Sequence, residues 1–532
     1  MIYVPLYFQF GQIKKDKIEV SNFQFNIIDE LYEDLETSPD FLKELYEKKK
    51  RISNLKQLKE VDPPKHLIAK LRPYQQEGLN WLVFLHENQL GGCLADDMGL
   101  GKTLQSIAFL QFLKNNSKNK LKPHLIVAPT SLIFNWMAEL EKFAPKLKAL
   151  AFIGGNREEH KSSFDQYDLI LTTYGSIVRD IEFHKNQVYS YIILDESQAI
   201  KNPLSQRFKA VRLLNCENRL ALTGTPIENN TFDLYSQFNF LNPGIFGSIK
   251  HFRTNFSDAI DKEQDEDTSA LLAKIIHPFL LRRTKPQVAT ELPSKTEAII
   301  YCEMNKQQRK VYDQFKDYFR QQILDQIENE GVNRSQIYIL QGLTKLRQIC
   351  NSTALADKEK DYGNDSAKLD ELVRHLKQKV AKHKVLVFSQ FVGMLQLVKE
   401  RLDEEDIKFE YLDGQTKKRE EKVNNFQNNP KVRVFLISLK AGGTGLNLTE
   451  ADYVYLIDPW WNPAVESQAI DRCYRIGQDK KVMAYRMICK DSIEEKILSL
   501  QDKKKIVAAE VIRVDEEKKS FKKKDVERFF GA

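Results

Sequence analysis

Residues 96–103 read Asp-Asp-Met-Gly-Leu-Gly-Lys-Thr, a pattern typical of a loop that binds the phosphates of a nucleotide. Gly99 and Gly101 allow the backbone to turn tightly and to direct its N–H groups at a phosphate chain. Lys102 adds a positive charge for the outer phosphates, and Thr103 offers a hydroxyl group to Mg²⁺. The pattern therefore predicts a site for a nucleotide and its magnesium ion.

The residues on either side of this loop predict the structural context that it needs. Residues 93–95 are apolar and are predicted to form a short buried strand, and residues 104–114 are predicted to form a helix. A helix N-terminus that follows a strand and a glycine-rich loop favours a bound anion. The strict motif requires glycine at position 96, where Asp96 stands. The loop by itself is therefore equally compatible with a surface turn.

Two acidic residues, Asp195 and Glu196, follow the apolar run of residues 191–194. Ligands of open α/β sheets gather at the carboxyl ends of strands. We therefore assign Asp195 to the metal ion and Glu196 to the orientation or deprotonation of the attacking water. The alternative is a helix N-cap followed by a first-turn acid. The upstream Lys102 and Thr103 favour the catalytic interpretation.

A pair of arginines, Arg472 and Arg475, stands far along the chain from the loop. Residues three apart share one face of a helix, so a helix here presents both side chains together. Two guanidinium groups aimed at a nucleotide neutralise charge on a phosphoryl group during its transfer. The alternative is a solvated helix face with ordinary ion pairs.

Short apolar runs alternate with helical segments in two parts of the chain, which predicts an α/β fold with parallel sheets covered by helices. The runs are 125–128, 168–172, 191–195 and 219–223 in the first part, and 385–388, 409–412, 432–437, 453–457 and 482–488 in the second. Only the first part has a phosphate loop. Two similar lobes with a single nucleotide loop indicate a motor, so we expect ATP to bind between the two lobes. The predicted organisation is an accessory segment of unknown role (1–62), lobe 1 (63–241), a helical insertion and linker (242–365), lobe 2 (366–500) and a basic helical tail (501–532).

The composition limits the class of protein. A chain of 532 residues is too long for one core, and its 42% hydrophobic and 29% charged residues are ordinary for a globular protein. No run of about 18 apolar residues predicts a membrane span, and the N-terminus does not resemble a secretory signal. The six scattered cysteines predict neither a zinc site nor a disulfide framework. The net charge of +7 and the lysine clusters at 503–505 and 522–524 permit binding to a polyanion, but a solvated surface explains them equally well.

Further motifs follow in order between residues 71 and 501. They are Leu-Arg-Pro-Tyr-Gln (71–75), Ala-Pro-Thr-Ser-Leu (128–132), Thr-Thr-Tyr (172–174), Thr-Gly-Thr-Pro (223–226), Leu-Arg-Arg-Thr-Lys (281–285), Val-Phe-Ser-Gln (387–390), and the stretches 438–448 and 458–463. Together with the loop, the acids and the arginines, this series resembles the Swi/Snf-type ATPases, which are helicase-like superfamily-two DNA translocases, and looks most like their prokaryotic branch. The chain departs from many of these relatives at Ser197, where alanine is common, and at Cys473-Tyr474, where a histidine is common.

The resemblance implies two RecA-like lobes with a helical insertion between them, and a DNA-stimulated ATPase that uses ATP and Mg²⁺. It implies that Gln75 reads adenine, with Arg72 as a second candidate for the same pocket. It places Gly445 near the ribose. It also implies that Thr223 and Thr225 couple the nucleotide to the motion of the lobes.

The same resemblance completes the catalytic set and makes Arg472 and Arg475 arginine fingers that lobe 2 supplies. The expected catalytic residues are Lys102, Asp195, Glu196, Arg472 and Arg475, and the expected metal ligands are Thr103 and Asp195.

The resemblance also implies double-stranded DNA as the track. The candidate contacts are Asn135, Thr172, Thr173, Gln390, Ser438, Lys440, Gly442 and Trp461. Hydroxyl groups, amides and backbone N–H groups suit phosphates and carry little sequence information. Core packing is an equally good explanation for the adjacent Trp460 and Trp461.

The expected function is ATP-dependent translocation along duplex DNA, which displaces or remodels bound protein without net strand separation. The expected partner besides DNA is RNA polymerase or another DNA-bound protein, and the expected form is a monomeric motor. In a prokaryote it would be cytoplasmic and nucleoid-associated, and otherwise nuclear. Two alternatives stay open: an ATP-switched clamp on DNA or RNA polymerase with little translocation, and an RNA-directed helicase.

Overall fold

The computed structural model describes residues 58–117, 121–226, 231–263, 265–330, 332–357, 359–442, 446–499 and 501, together with two short strands near the N-terminus. These strands, β1 (Gln12–Lys14) and β2 (Lys17–Glu19), pair in antiparallel fashion. Most of the predicted accessory segment, nearly all of the predicted basic tail with both lysine clusters, and Gly445 lie outside the described residues. The chain divides between Thr290 and Glu291 into two compact units. They are called the first and the second unit below.

The first unit contains a seven-stranded sheet. Its strands are β3 (Gly92–Leu94), β4 (His124–Ala128), β5 (Ala149–Ala151), β6 (Leu169–Thr173), β7 (Val188–Asp195), β8 (Asn215–Leu222) and β9 (Leu280–Leu281). Their order across the sheet is β5-β6-β4-β7-β8-β3-β9, and all the pairings are parallel. Every residue of β4 and β6 is buried, because helices cover both faces of a parallel sheet.

Helices surround this sheet. They are α1 (Pro73–Glu87), α2 (Lys102–Asn116), α3 (Thr130–Phe143), α4 (Tyr174–Arg179), α5 (Ile181–His184), α6 (Gln206–Arg212), α7 (Thr231–Leu241), α8 (Ile249–Phe252), α9 (Asp258–Glu263), α10 (Glu266–Ile276) and α11 (Lys285–Val288). Helix α3 shows why they pack: Ile133, Trp136 and Leu140 recur at helical spacing and are buried in the core.

The second unit contains a six-stranded sheet. Its strands are β10 (Lys295–Cys302), β11 (Val385–Ser389), β12 (Phe409–Leu412), β13 (Val434–Ser438), β14 (Tyr453–Leu456) and β15 (Val482–Cys489). Their order is β10-β15-β14-β11-β13-β12, again with parallel pairings throughout. Two parallel sheets flanked by helices confirm the predicted α/β fold class.

The helices of the second unit follow. They are α12 (Lys306–Glu330), α13 (Val332–Asn351), α14 (Ala367–Lys379), α15 (Val392–Glu404), α16 (Arg419–Asn428), α17 (Leu439–Gly442) and α18 (Pro463–Ile470), with a further helical stretch at 493–499. In the described residues, every helix is too short or too polar to cross a membrane.

The predicted helical insertion (242–365) contains more than helices. It includes α12 and α13, but β9 within it joins the first sheet and β10 joins the second. Strand β10 pairs with β15 over eight residues, from Lys295 opposite Val482 to Cys302 opposite Cys489. The structure therefore adds two strands to the predicted helical insertion and linker. Strand β10 lies at a sheet edge with several exposed side chains, and its mixed polar sequence hides it from a search for apolar runs.

Candidate functional site

The predicted phosphate loop connects the end of β3 to the first turn of α2. Gly99 and Gly101 both adopt left-handed backbone conformations, with φ angles of 83° and 80°. A Cβ atom at position 101 would lie 2.5 Å from Nε2 of Gln75. Glycine is therefore required at this position both by the backbone angle and by the close approach of Gln75.

Lys102 and Thr103 form the start of α2, as the loop pattern requires. The Lys102 Nζ atom donates to the carbonyl oxygen of Asp96 at 2.6 Å and lies 3.4 Å from that of Asp97. The amine is thus folded over the loop, and the first-turn Thr103 is half-buried. Both side chains lie at a helix N-terminus, where a polyphosphate is stabilised.

Asp96, which occupies the position of the missing glycine, is completely buried and forms an ion pair with Arg283. Arg283 Nη2 donates to Asp96 Oδ2 at 2.6 Å, and Arg283 Nε donates to Asp96 Oδ1 at 3.0 Å. Arg283 also donates to Gln105 Oε1 at 2.9 Å and to the carbonyl oxygen of Tyr74. The departure from the strict motif therefore anchors the loop to a residue 187 positions away. Sequence reasoning missed this role, although it noted both the acid at position 96 and the Leu-Arg-Arg-Thr-Lys motif.

Gln75, the predicted adenine reader, is buried against the loop. Its Nε2 atom donates to the carbonyl oxygen of Leu100 at 3.1 Å, and its Oε1 atom accepts from the backbone N–H of Arg72 at 3.0 Å. The hydroxyl of Tyr74 also donates to Leu100, at 2.9 Å. The structure therefore brings Gln75 to the phosphate loop and joins Arg72 to Gln75 through its backbone, and adenine recognition stays a prediction.

Asp195 ends β7, and Glu196 follows it in a left-handed conformation with a φ angle of 50°. Asp195 accepts hydrogen bonds from Trp136 Nε1 at 2.8 Å and from the backbone N–H of Glu196 at 2.9 Å. Burial, together with the neighbouring Glu196 carboxylate, raises the pKa of Asp195 to about 7, against the opposing effects of the Trp136 hydrogen bond and of Lys102. A non-glycine residue with positive φ is strained, and such strain is concentrated at functional sites.

A chain of hydrogen bonds leads from Glu196 to the Thr-Gly-Thr-Pro motif. Gln198 donates from Nε2 to Glu196 Oε2 at 2.7 Å, and Gln198 Oε1 accepts from the Thr223 hydroxyl at 3.0 Å. The Thr223 hydroxyl oxygen in turn accepts from the backbone N–H of Thr225 at 3.0 Å. The predicted coupling residues thus contact the acidic motif through Gln198, whose role the sequence reasoning did not identify.

A second connection starts at Ser197, whose hydroxyl donates to Gln237 Oε1 on α7 at 2.7 Å. Gln237 Nε2 donates to the carbonyl oxygen of Pro226 at 2.7 Å. Both ends of the motif at 223–226 are therefore tied to the acidic motif, one through Gln198 and one through Ser197.

These residues meet at the carboxyl ends of three adjacent strands, β7, β8 and β3. A Cβ atom at Gly224, just beyond β8, would lie 3.7 Å from Lys102 Nζ. The Lys102 amine, the Thr103 hydroxyl and the buried Asp195 carboxylate form a set of groups that fits a nucleotide phosphate and Mg²⁺. Lys102 and Thr103 would hold the phosphates and the ion from one strand end, and Asp195 would hold the ion from the other.

The arginines of the second unit are not on a helix, and this part of the prediction was wrong. Helix α18 ends at Ile470, and Arg472 and Arg475 follow in a turn. The carbonyl oxygen of Arg472 accepts from the backbone N–H of Leu448 at 2.9 Å, so it is not used in a helical bond. The Gln478 side chain holds the turn by donating to three backbone carbonyl oxygens. Arg472 is buried and Arg475 is half-buried.

Among the predicted DNA contacts of the first unit, Thr172 does not fit its assignment. Its side chain is completely buried, and its hydroxyl donates to the carbonyl oxygen of Phe152 at 3.0 Å. Thr173 is also buried and caps α4 by accepting from the backbone N–H of Ser176 at 3.1 Å. Asn135 is half-buried on α3 and donates to Glu139 at 2.9 Å. Burial in the sheet therefore removes the Thr172 hydroxyl from the candidate contacts.

The predicted contacts of the second unit differ in exposure. Lys440 is exposed, whereas Gln390 and Trp461 are half-buried. Ser438 is buried and caps α17 by accepting from the backbone N–H of Ala441 at 3.3 Å. Gly442 is buried where a Cβ atom would lie 2.8 Å from Phe388. Ser438 and Gly442 therefore shape the backbone near Lys440, and all five residues remain predicted contacts.

The Thr172→Val variant tests whether the Thr172 hydroxyl supports the fold rather than DNA binding. Valine has the same shape but cannot donate to Phe152, so we expect the free energy of unfolding to fall by about 1 kcal/mol. We expect the duplex concentration that half-saturates ATP turnover to stay the same, whereas Lys440→Ala raises it. Urea unfolding and a titration with DNA measure the two effects. A Thr172→Val protein with weakened DNA response would return Thr172 to the DNA contacts.

Comparison with known proteins gives consistent matches along the chain. The model of the SNF2-related domain matches residues 74–355, and that of the helicase conserved C-terminal domain matches residues 367–477. YwqA of Bacillus subtilis is 39% identical over 458 residues, which cover 83% of this chain and 49% of that protein. Uncharacterized ATP-dependent helicase MG018 of Mycoplasma genitalium is 38% identical over 442 residues, 82% of this chain and 42% of that protein.

One similar solved structure is that of the Sulfolobus solfataricus SWI2/SNF2 ATPase core in complex with dsDNA, which is 36% identical to this chain with a TM-score of 0.45. The match covers 88% of this chain and 99% of the chain in that structure. The chain spans about half the length of the curated relatives that it matches. The SNF2-related domain model alone matches more than half of the chain. The chain therefore belongs to the SNF2-related family of ATP-dependent, helicase-like proteins.

Proposed function

We propose that this chain is an ATP-driven translocase on double-stranded DNA that displaces or remodels bound protein without separating the strands. The observation that carries the proposal is the set of side chains at the ends of β3, β8 and β7 in the first unit. Lys102 follows β3 through the phosphate loop, Thr223 directly follows β8, and Asp195 is the last residue of β7. The presence of Lys102 and Thr103 in the loop beside the acidic pair argues for hydrolysis and against a chain that only binds the nucleotide.

Each side chain of the first unit has a defined task in this proposal. Lys102 binds the outer phosphates, and Thr103 and Asp195 hold the ion. Mg²⁺, when bound, neutralises phosphate charge and orients the nucleotide. Glu196 orients the attacking water and accepts its proton, while the amide of Gln198 fixes one oxygen of the carboxylate.

The hydrogen bond that the Thr223 hydroxyl donates to Gln198 transmits a change at the acidic motif (195–198) to the segment 223–226. In the same proposal, Arg472 and Arg475 of the second unit act on the nucleotide that the first unit holds. Guanidinium groups stabilise the charge of the transition state in phosphoryl transfer. Because the arginines lie in a different compact unit from the loop, hydrolysis would depend on the movement of one unit against the other.

Duplex DNA is the proposed track because the resemblance to the Swi/Snf-type ATPases implies it, and the candidate contacts are hydroxyl groups, amides, backbone N–H groups and one lysine, which suit phosphates. Such groups bind the phosphate backbone of any sequence. Exposed Lys440 supplies positive charge, and binding through it depends on the salt concentration. A DNA-bound protein, such as RNA polymerase, is the proposed cargo.

The proposal is tested by ATP turnover of the full chain without nucleic acid and with duplex DNA, single-stranded DNA or RNA. We expect duplex DNA to raise turnover at least about tenfold, which is a small part of the roughly 10³–10⁵-fold that an arginine finger contributes, and we expect RNA to have little effect. A triplex-displacement assay on the same duplex then reports movement.

Equal turnover with and without DNA contradicts the motor. Stimulated turnover without triplex displacement contradicts translocation and supports the clamp, and stronger stimulation by RNA supports an RNA-directed helicase.

A further inference from the structure

Arg347 is a buried cation of the second unit that the proposed ATP chemistry does not use. It lies near the end of α13, and only 3% of it is exposed. Among the residues that the structure describes, Arg347 forms no direct ion pair, although the carboxylates of Asp458, Glu494 and Glu466 lie near enough to oppose the lowering of its pKa by burial. Its Nε atom has no hydrogen-bond partner. Burial of a charge without a carboxylate partner is costly, so the contacts that Arg347 does make require an explanation.

The guanidinium group joins two loops that follow neighbouring strands. It donates to the carbonyl oxygen of Pro459, beyond β14. It also lies 5.4 Å from the ring centroid of Phe391, 5.9 Å from that of Trp460 and 5.7 Å from that of Trp461. Aromatic rings at these distances attract a cation, and more strongly when water is excluded.

Arg347 also determines how Gln390 is oriented. With its amide oxygen toward the guanidinium group, Gln390 accepts from Arg347 Nη1 at 2.6 Å and from Nη2 at 2.5 Å. The opposite orientation would place N–H donors against N–H donors, which is unfavourable. The backbone N–H of Gln390 donates to Asp458 at 3.1 Å, so the main chain is held as well. The Nε2 donors of Gln390 consequently face away from Arg347.

We propose that Arg347 is a positioning residue for DNA binding: it turns the amide N–H donors of Gln390 outward and holds Trp461 beside them. Lysine could not replace it fully, because only the planar guanidinium group can bond Gln390 with two nitrogens while it stacks on aromatic rings. The inference rests on the proposed function, since it takes the duplex phosphate backbone as the ligand. It assigns a role to α13, which lies within the predicted helical insertion and linker (242–365).

Fluorescence anisotropy with a labelled duplex tests this inference on the full chain. We expect Arg347→Met and Gln390→Ala each to weaken binding about tenfold, and the double variant to weaken it about tenfold as well, because both changes remove one unit. Arg347→Lys is expected to restore binding only in part. Arg401→Met, which alters a half-exposed arginine of α15 paired with Asp370, is the matched control and is expected to bind as the unchanged chain does.

A second variant separates positioning from simple loss of folding. Gln390→Glu keeps an acceptor toward Arg347 and adds an ion pair, so the melting temperature should not fall. It also removes the outward donors, so duplex binding should fall at least about tenfold.

Normal binding by Arg347→Met or by Gln390→Glu overturns the inference, and so does a double variant that is about a hundredfold weaker, which is the product of independent effects. Failure of the unchanged chain to bind or respond to duplex DNA overturns the proposed function itself, and that result is distinguishable because it needs no variant.

Discussion

Replacement of Glu196 by glutamine is expected to lower ATP turnover by about 10²–10⁴-fold, the usual contribution of a general base. Glutamine has nearly the same shape, and its amide oxygen still accepts the bond from Gln198 that orients residue 196 in the structure. The substitution therefore removes the charge and the proton acceptor while it preserves the surroundings. ATP binding is expected to remain, because Lys102 and Thr103 are unchanged.

Steady-state turnover at saturating duplex DNA, together with equilibrium binding of a fluorescent ATP analogue, measures the two quantities. Glu182→Gln is the matched control, since Glu182 is an exposed acid of the same unit, paired with Lys185. It is expected to leave both quantities unchanged. Normal turnover in the Glu196 variant would show that another group activates the water, and loss of ATP binding would show that Glu196 supports the nucleotide pocket instead.

The Arg283→Met variant is expected to destabilise the first unit by about 3–5 kcal/mol, because it leaves the Asp96 carboxylate buried without its partner. The side chain of Asp96 is fully buried, and that of Arg283 is only 10% exposed. Asp96→Gly should destabilise this unit by a similar amount, even though it restores the strict phosphate-loop pattern. The reason is that Arg283 then loses its buried carboxylate partner at 2.6 Å and keeps only the exposed Glu77 at 3.8 Å.

Hydrogen exchange measured by mass spectrometry shows which region loses stability, because the exchange rate of each peptide reports the local stability of that peptide. Faster exchange is expected in peptides from β3 and α2, with little change in the second unit. The double variant Asp96→Ala, Arg283→Met should lose less than the sum of the single changes. The exposed pair of Lys122 and Glu217 provides the control, because Lys122→Met should cost less than about 1 kcal/mol. An Asp96→Gly protein as stable as the original would refute this role of the ion pair.

Sequence patterns located the strands that are buried on both faces. The predicted runs 125–128 and 385–388 agree with β4 and β11 to within one residue. Such strands are continuous apolar stretches, so their signal is local. Strand β10 was missed because it is an edge strand with an irregular pattern, and only its pairing with β15 defines it.

The arginine turn shows a second limit of local reasoning. A spacing of three residues is compatible with a helix, and helix α18 does precede Arg472. Whether the helix continues depends on partners that lie elsewhere in the chain, here Leu448 and the side chain of Gln478. These contacts compete with helical hydrogen bonds, and local spacing carries no information about them.

The sequence by itself determined the chemistry predicted for the nucleotide site. The glycines, the lysine and the threonine lie within one short loop, and the two acids are adjacent, so the local spacing within each motif is enough to predict phosphate and metal binding once both motifs are found in order. Only the tertiary structure decided which distant residues support that chemistry. Arg283 reaches Asp96, Gln198 reaches Thr223 and Arg347 reaches Gln390 because folding brings separate strand ends together. A buried side chain must find its partner in space, and for these pairs the partner is not a neighbour in the chain.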